Sequence, residues 1–220
     1  DLCKQGANFC NKIWNAFRLV QGWQAADIDQ PLSSAKAIDW MQAKVRAEVA
    51  EIDDLYSKYR LNEALMTAFK LFTDEFSGWY LEMVKPAYQA PIDRKTLQAT
   101  LQIFEDLMKV IHPFMPFITE EIYQHITERA EGESIMTSVL TLEAPNQADA
   151  ALLASMEQAK QIISGVRAIR QSKNIAPREE MTLEVVETEG ADQSEAHDEA
   201  LCQIIKKMAT LEAVHFVTQK

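Results

Sequence analysis

Cysteine is scarce: Cys3, Cys10 and Cys202 are the only three in 220 residues. They form no C-x-x-C pair and no zinc-ligand spacing with any of the four histidines. A disulfide framework and a structural zinc are therefore excluded, and the usage suits a reducing cytosol. Glycine and proline are also few, at 6 and 7, while Leu, Ala, Glu, Lys, Gln and Met are plentiful, which is the bias of a mainly helical chain. No apolar run approaches the roughly 20 residues that span a bilayer, and the N-terminus lacks the zones of a signal peptide. The expectation is a soluble, cytoplasmic protein without membrane contact. Positive charge is in deficit too. The formal net charge is -11, the wrong sign for a nucleic-acid partner, so any such binding has to come from local basic patches.

Catalytic constellations are equally missing. There is no glycine-rich phosphate loop and no Ser/His/Asp or Cys/His arrangement in a motif context. Glu121 and His125 lie one helical turn apart, but two ligands without a third leave a solvated pair as the expectation.

Stretches with helical apolar spacing are separated by Pro, Gly or Asp-rich breaks. The first runs from about Leu2 to Val20. Ser33 and Ser34 are expected to cap a second, which carries Ile38, Met41, Val45, Val49, Ile52, Leu55 and Tyr56. A third is expected to be capped by Asn62 and to run to about Val84, and a fourth covers Arg94 to about Ile111. His112-Pro113-Phe114-Met115-Pro116 breaks the pattern, after which Thr119, Glu120 and Glu121 open a shorter helix. Arg129 to Asp149 reads as a loop with extended pieces around Ile135 to Leu142, followed by a helix from about Ala150 to Asn174. From Met181 the texture changes to an alternating strand, an acidic loop, a helix with Leu201, Ile204, Ile205 and Met208, and a short run from Ala213 to Val217. The expected fold is mainly α: a helical bundle over residues 1–176, followed by a small β-α-β unit over 177–220 with a parallel pairing.

Two polar stripes stand out. On the first helix, Lys4, Asn8, Asn11, Lys12, Asn15 and Arg18 share one side, while Phe9, Ile13, Ala16, Phe17 and Val20, extended by Cys10 and Trp14, share the other. The polar side has amides and cations and no carboxylate. Asparagine costs helix stability relative to Lys, Glu or Gln, so three of them on one stripe invite a reason. Lysine and arginine meet phosphate, and an amide both donates and accepts against a base edge. The alternative is a solvated face that lacks acids. The second tract, Lys160 to Arg178, holds Lys160, Arg167, Arg170, Lys173 and Arg178 with no intervening acid. Helical phase sets Lys160, Ser164, Arg167, Gln171 and Asn174 on one stripe and turns Arg170 toward Ile163 and Val166, where a bundle carboxylate or apolar surface is its expected partner. Glu179 to Glu199 holds nine acids and no Lys or Arg, so this segment is expected to face away from any polyanion.

Four ordered strings resemble the anticodon-binding region of valyl-tRNA synthetases: GANFCNKIWNAFR from Gly6 to Arg18, EFSGWYLEMVKP from Glu75 to Pro86, HPFMPFITEEIYQ from His112 to Gln124, and VRAIRQSKNIAP from Val166 to Pro177. The isoleucyl and leucyl relatives share the bundle, but Phe9-Cys10-Asn11-Lys12 followed by Trp14-Asn15 resembles the valyl branch. Ala7 stands where the family often carries a basic residue. The resemblance implies a class I synthetase, valine-tRNA ligase, whose catalytic domain uses ATP to activate valine and whose anticodon domain binds valine tRNA. H-I-G-H and K-M-S-K-S signatures are not in this sequence, nor is the coiled-coil arm expected after the α/β unit, so the resemblance implies a non-catalytic fragment with no cofactor of its own. Its implied partners are valine tRNA and the catalytic domain of the same synthetase. The residues put forward for the tRNA are Lys4, Asn8, Asn11, Lys12, Asn15, Arg18, Lys160, Arg167, Gln171 and Asn174. A different class stays open alongside it, a helical protein-interaction or scaffold domain that uses the same stripe.

Overall fold

Phe9, Ile13, Ala16, Phe17 and Val20 recur at three- and four-residue spacing, and the helix they define, α1 (Leu2–Gln21), buries that side in full. The structure, a computed structural model, describes residues 2–176, 179–187 and 198–218. Arg178 of the second basic tract and Glu189, Asp192 and Glu195 of the acidic loop lie outside the described residues.

Helix α2 (Leu32–Ser57) is the long central element. It starts one residue before the expected serine caps. Pro31, at φ -61, is its N-cap and makes no side-chain cap bond, while Ser34 is buried inside the first turn. The Pro31 carbonyl takes the Ser34 and Ala35 N–H groups at 3.0 and 3.1 Å, so the main chain itself closes the first turn. Tyr59 closes α2 in the left-handed region at φ 58, and the Arg60 N–H reaches back to the Leu55 carbonyl at 2.9 Å. This reversal leads straight into α3 (Leu61–Lys70), whose N-cap is Arg60; Asn62, the expected cap, lies two residues further in.

The chain continues as a π-helical stretch, Leu71–Tyr80, and a last turn, α4 (Leu81–Val84). Leu65, Phe69, Phe72, Phe76 and Tyr80 read as α-periodic, so the wider winding was not expected. A Cβ on Gly78 would come within 3.3 Å of the Thr73 carbonyl oxygen, so a glycine suits this turn. Phe72 and Phe76 meet Phe104 edge-on at centroid distances of 5.8 and 5.2 Å, and Phe9 and Phe17 join the same aromatic seam from α1. Edge-to-face pairs of this kind add to area burial and lock the relative rotation of the helices.

Two two-residue strands, β1 (Ala25–Ala26) and β2 (Ile92–Asp93), pair in parallel and are too short for any periodicity to reveal. Asp93 then caps α5 (Arg94–Ile111), accepting from the Thr96 N–H at 2.8 Å. Helix α6 (Pro116–Ile126) begins earlier than expected, with Pro116 in its first turn, which puts Glu120 and Glu121 beyond that turn. Ile135–Thr137 is a 3-10 turn, where an extended piece was expected. Asn146 and Asp149 form a reciprocal capping box that starts α7 (Gln147–Lys173) three residues ahead of the expected Ala150.

β3 (Met181–Glu187) and β4 (Leu211–Thr218) pair in parallel, with Leu183 beside Val214 and Val185 beside Phe216. Between them α8 (Glu199–Ala209) buries Leu201, Ile204, Ile205 and Met208 against α2, α4 and α7. These side chains belong to one continuous core with the bundle. The fold is mainly α with a small parallel β-α-β unit.

Candidate nucleic-acid interface

With the aromatic side of α1 committed to the core, its opposite side is forced outward. Lys4, Asn8, Asn11, Lys12, Asn15 and Arg18 are all exposed, and among the described residues none of their side chains makes a hydrogen bond or an ion pair. The amides are therefore not caps for a neighbouring helix. Trp14, expected to extend the apolar side, is 38% exposed at its edge, and Cys10 is half-buried. α1 rests on α5 and α6, and Gln21 Nε2 donates to the His125 carbonyl at 3.3 Å.

The stripe does not end at Arg18. At about 100° per residue, Leu19 and Gly22 fall on the same side as the amides, and both line a cleft of about 460 Å³ with Trp23, Gln24, Lys85, Pro86 and the turn Ala87–Ala90. Tyr88 stands in that turn at 93% exposure. The turn is closed by the Ala90 N–H on the Ala87 carbonyl at 2.9 Å and places Gln89 at φ 61. A side chain other than Gly or Asn at that position costs on the order of 1 kcal/mol, so an aromatic ring is displayed to solvent on a strained turn beside a polar helix face. Sequence reasoning missed Tyr88 and Lys85. The Pro86 and Pro91 brackets around an isolated aromatic were the available signal.

The second tract divides. Gln171 and Asn174 are exposed, and Asn174 is the left-handed C-cap of α7 at φ 52. Lys160 is turned inward: its side chain is 11% exposed, Nζ lies 2.8 Å from Glu75 Oε2, and the Trp40 and Trp79 rings flank it at 5.6 and 5.3 Å. Arg167 lies over Trp79 at 5.4 Å and donates to the Met208 carbonyl at 3.1 Å. Helical phase alone puts both on an outer stripe; contacts with the π stretch draw Lys160 in, while Arg167 stays exposed with its guanidinium over Trp79. Arg170 is inward as expected, at 8% exposure, but its partners are the backbone carbonyls of Ala176, Glu179 and Thr210 in place of a carboxylate. These arginines fasten the β-α-β unit to the bundle. α1 packs mainly on α5 and α6 and α7 on α2 and α8, while the π stretch touches both, through Phe72 against Phe9 and Glu75 against Lys160.

Glu121 and His125 are an exposed pair 3.8 Å apart, and no group of three or more metal-ligating side chains occurs among the described residues. Nor is any helix among them long and apolar enough to cross a membrane. The apolar cleft on the other flank of α1, about 800 Å³, is lined by Gly6, Phe9, Leu65, Met66, Phe69, Phe114 and Met115.

Residues 39–187 match the family model described as the anticodon-binding domain of tRNA ligase. That match begins within α2, so α1 lies ahead of it. The chain is 53% identical over 185 residues to a valine-tRNA ligase of Phocaeicola vulgatus, covering 84% of the chain and 21% of that protein. It is 49% identical over 222 residues to a valine-tRNA ligase of Parabacteroides distasonis, covering 100% of the chain and 24% of the relative. A valine-tRNA ligase of Fusobacterium nucleatum is 31% identical, with 96% of the chain and 25% of the relative covered. The chain thus spans about a quarter of the length of these relatives.

Proposed function

This chain belongs to the anticodon-binding domain family of tRNA ligases, and from that premise we propose that it grips the anticodon loop of valine tRNA. The observation that carries this reading is the α1 stripe: cations and amides without a carboxylate, unengaged within the fold and running into the Tyr88 cleft. In this reading Lys4, Lys12 and Arg18 meet phosphates and hold register. Asn8, Asn11 and Asn15 meet base edges, and Tyr88 with Trp23 offers a stacking surface to an unpaired base. Lys160 acts within the fold, whereas Arg167, Gln171 and Asn174 are exposed and offer a second contact to the tRNA.

The domain's role is positioning: it holds one end of the tRNA so that the acceptor end reaches a catalytic site elsewhere in the ligase. We assign valine activation with ATP to the remaining three-quarters of such a ligase, which is also the partner proposed to cover the apolar cleft between α1 and α3. A cytoplasmic location follows from a role in translation.

Titration of the chain with valine tRNA and with an anticodon-swapped tRNA, at two salt concentrations, tests this. Preference for the valine anticodon with steeply salt-dependent affinity is expected. Equal affinity for both tRNAs, or an affinity indifferent to salt, would reject it and favour a protein-interaction surface.

A further inference from the structure

The small β-α-β unit reaches the bundle where the segment lining the cleft beside α1 begins. Lys207, in the last turn of α8, sends Nζ to the carbonyl oxygens of Met83 at 2.6 Å and Lys85 at 2.8 Å. α4 ends at Val84, so these are carbonyls left over at a helix C-terminus, where a cation is favoured by both hydrogen bonding and the helix dipole. The end of α8 that carries Lys207 is itself held from α7: Arg167 bonds the Met208 carbonyl at 3.1 Å and Arg170 the Thr210 carbonyl at 2.6 Å.

After Lys85 the chain has no regular structure until β2. Its far end is pinned by the bundle's own pairing, with the Ile92 N–H on the Gln24 carbonyl at 2.9 Å and Ala25 beside Ile92. Its near end is pinned by Lys207. The strained turn between, with Gln89 at φ 61, carries Tyr88. A strained turn keeps its shape only while its surroundings impose it.

Resting on the tRNA reading above, we infer that Lys207 is a positioning residue for the Tyr88 cleft, clamping the start of the turn so that Tyr88 and Lys85 stay beside Trp23 and the end of the α1 stripe. The β-α-β unit then takes part in RNA recognition without touching RNA. A preset turn saves the ordering cost that a loose one would incur on binding.

The test compares the chain with Lys207→Met, Lys207→Arg, Tyr88→Ala and the double variant Lys207→Met/Tyr88→Ala, each first checked for native circular dichroism. Two quantities are read: amide hydrogen exchange in residues 87–90, and affinity for valine tRNA. Lys207→Met is expected to speed exchange in the turn about ten-fold while leaving the amides of α1 unchanged, and to weaken tRNA binding about ten-fold. Lys207→Arg should recover most of both, and on the Tyr88→Ala background the loss from Lys207→Met should shrink to about two-fold or less. Unchanged exchange in the turn would overturn the clamp. An equal loss with and without Tyr88 would overturn the coupling to RNA. A chain that frees its turn in Lys207→Met yet does not bind valine tRNA in its native form refutes the tRNA reading and the RNA role of Lys207 while the clamp stands.

Discussion

The Lys160 ammonium is held 2.8 Å from the Glu75 carboxylate, with Trp40 on one side and Trp79 on the other. α7 and the π stretch are thereby joined by a shielded charge pair: truncating Lys160 leaves Glu75 without its ion-pair partner, whereas truncating Glu75 leaves Lys160 only the exposed Glu157 at 3.5 Å. Lys160→Met and Glu75→Gln are each expected to lower stability by about 1–3 kcal/mol, less than a fully buried pair because both side chains keep some water contact. Thermal melts give this directly. The salt dependence of tRNA binding should not move, and a Lys160→Met variant that melts normally but flattens the salt slope would restore Lys160 to the RNA surface.

Asp149 gives the fold an acid-sensitive joint. Its carboxylate takes two bonds from Arg46, at 2.5 and 3.0 Å, and also completes the capping box of α7. The Arg46 guanidinium, helped by the Asn146 N–H, holds the Asp149 carboxyl below the usual carboxylate range. A folded-state pKa lowered in this way contributes stability that is present above about pH 4, the unfolded value, and is lost as pH falls through the folded pKa. Asp149→Asn should therefore cost stability at neutral pH, roughly 1–3 kcal/mol for the lost charged pair and weakened cap. Its deficit relative to the native chain should shrink toward pH 2 in urea titrations. A deficit that stays constant with pH would mean that the Arg46 contact is not electrostatic in effect.

What the sequence discloses follows from how local each signal is. The two sides of α1 are set by residues within five turns of one another, so Phe9 and Ile13 against Asn8 and Lys12 could be read without any partner. Lys160 could not be read this way. Its phase matched an outer stripe, and the residue that captures it, Glu75, is 85 positions away on a stretch whose π winding has no periodic signature. The capping box at Asn146 and Asp149 is visible as a motif but lies in a segment whose composition reads as loop. Tyr88 was hidden for a different reason: an aromatic residue alone in a turn carries no period, and its importance lies in Leu19, Gly22 and Trp23 arriving beside it. The β1–β2 pair, at two residues each, is below what any pattern resolves.

Lys4, Lys12 and Arg18 are exposed and unpaired, so each is free to displace counterions from a phosphate. Lys12→Ala and Arg18→Ala should each flatten the slope of log affinity against log salt by somewhat less than one unit, with melting temperature unchanged. Lys58→Ala serves as the control, since its ammonium is already paired with Asp54, 2.6 Å away at the C-terminal end of α2. If Lys58→Ala changes the slope as much as Lys12→Ala, the RNA surface is not centred on α1.

Anticodon discrimination should reside on Asn8, Asn11 and Asn15. Phosphate contacts carry little sequence information, whereas a side-chain amide presents a donor and an acceptor together and so distinguishes one base edge from another. These three amides are exposed without an internal partner, which removes capping as the reason for keeping a poor helix former in mid-helix. Replacing any one of them by alanine should, on propensity grounds alone, raise helix stability slightly. An alanine variant that melts no lower than the native chain yet loses about 1–3 kcal/mol of affinity for valine tRNA, and little for an anticodon-swapped tRNA, identifies a base-reading amide. The opposing result is as informative. Should all three variants keep the full preference for the valine anticodon, the reading surface lies off the amide stripe. Tyr88→Ala and Gln171→Ala then decide between the Tyr88 cleft and the end of α7, the one that abolishes the preference marking the reader.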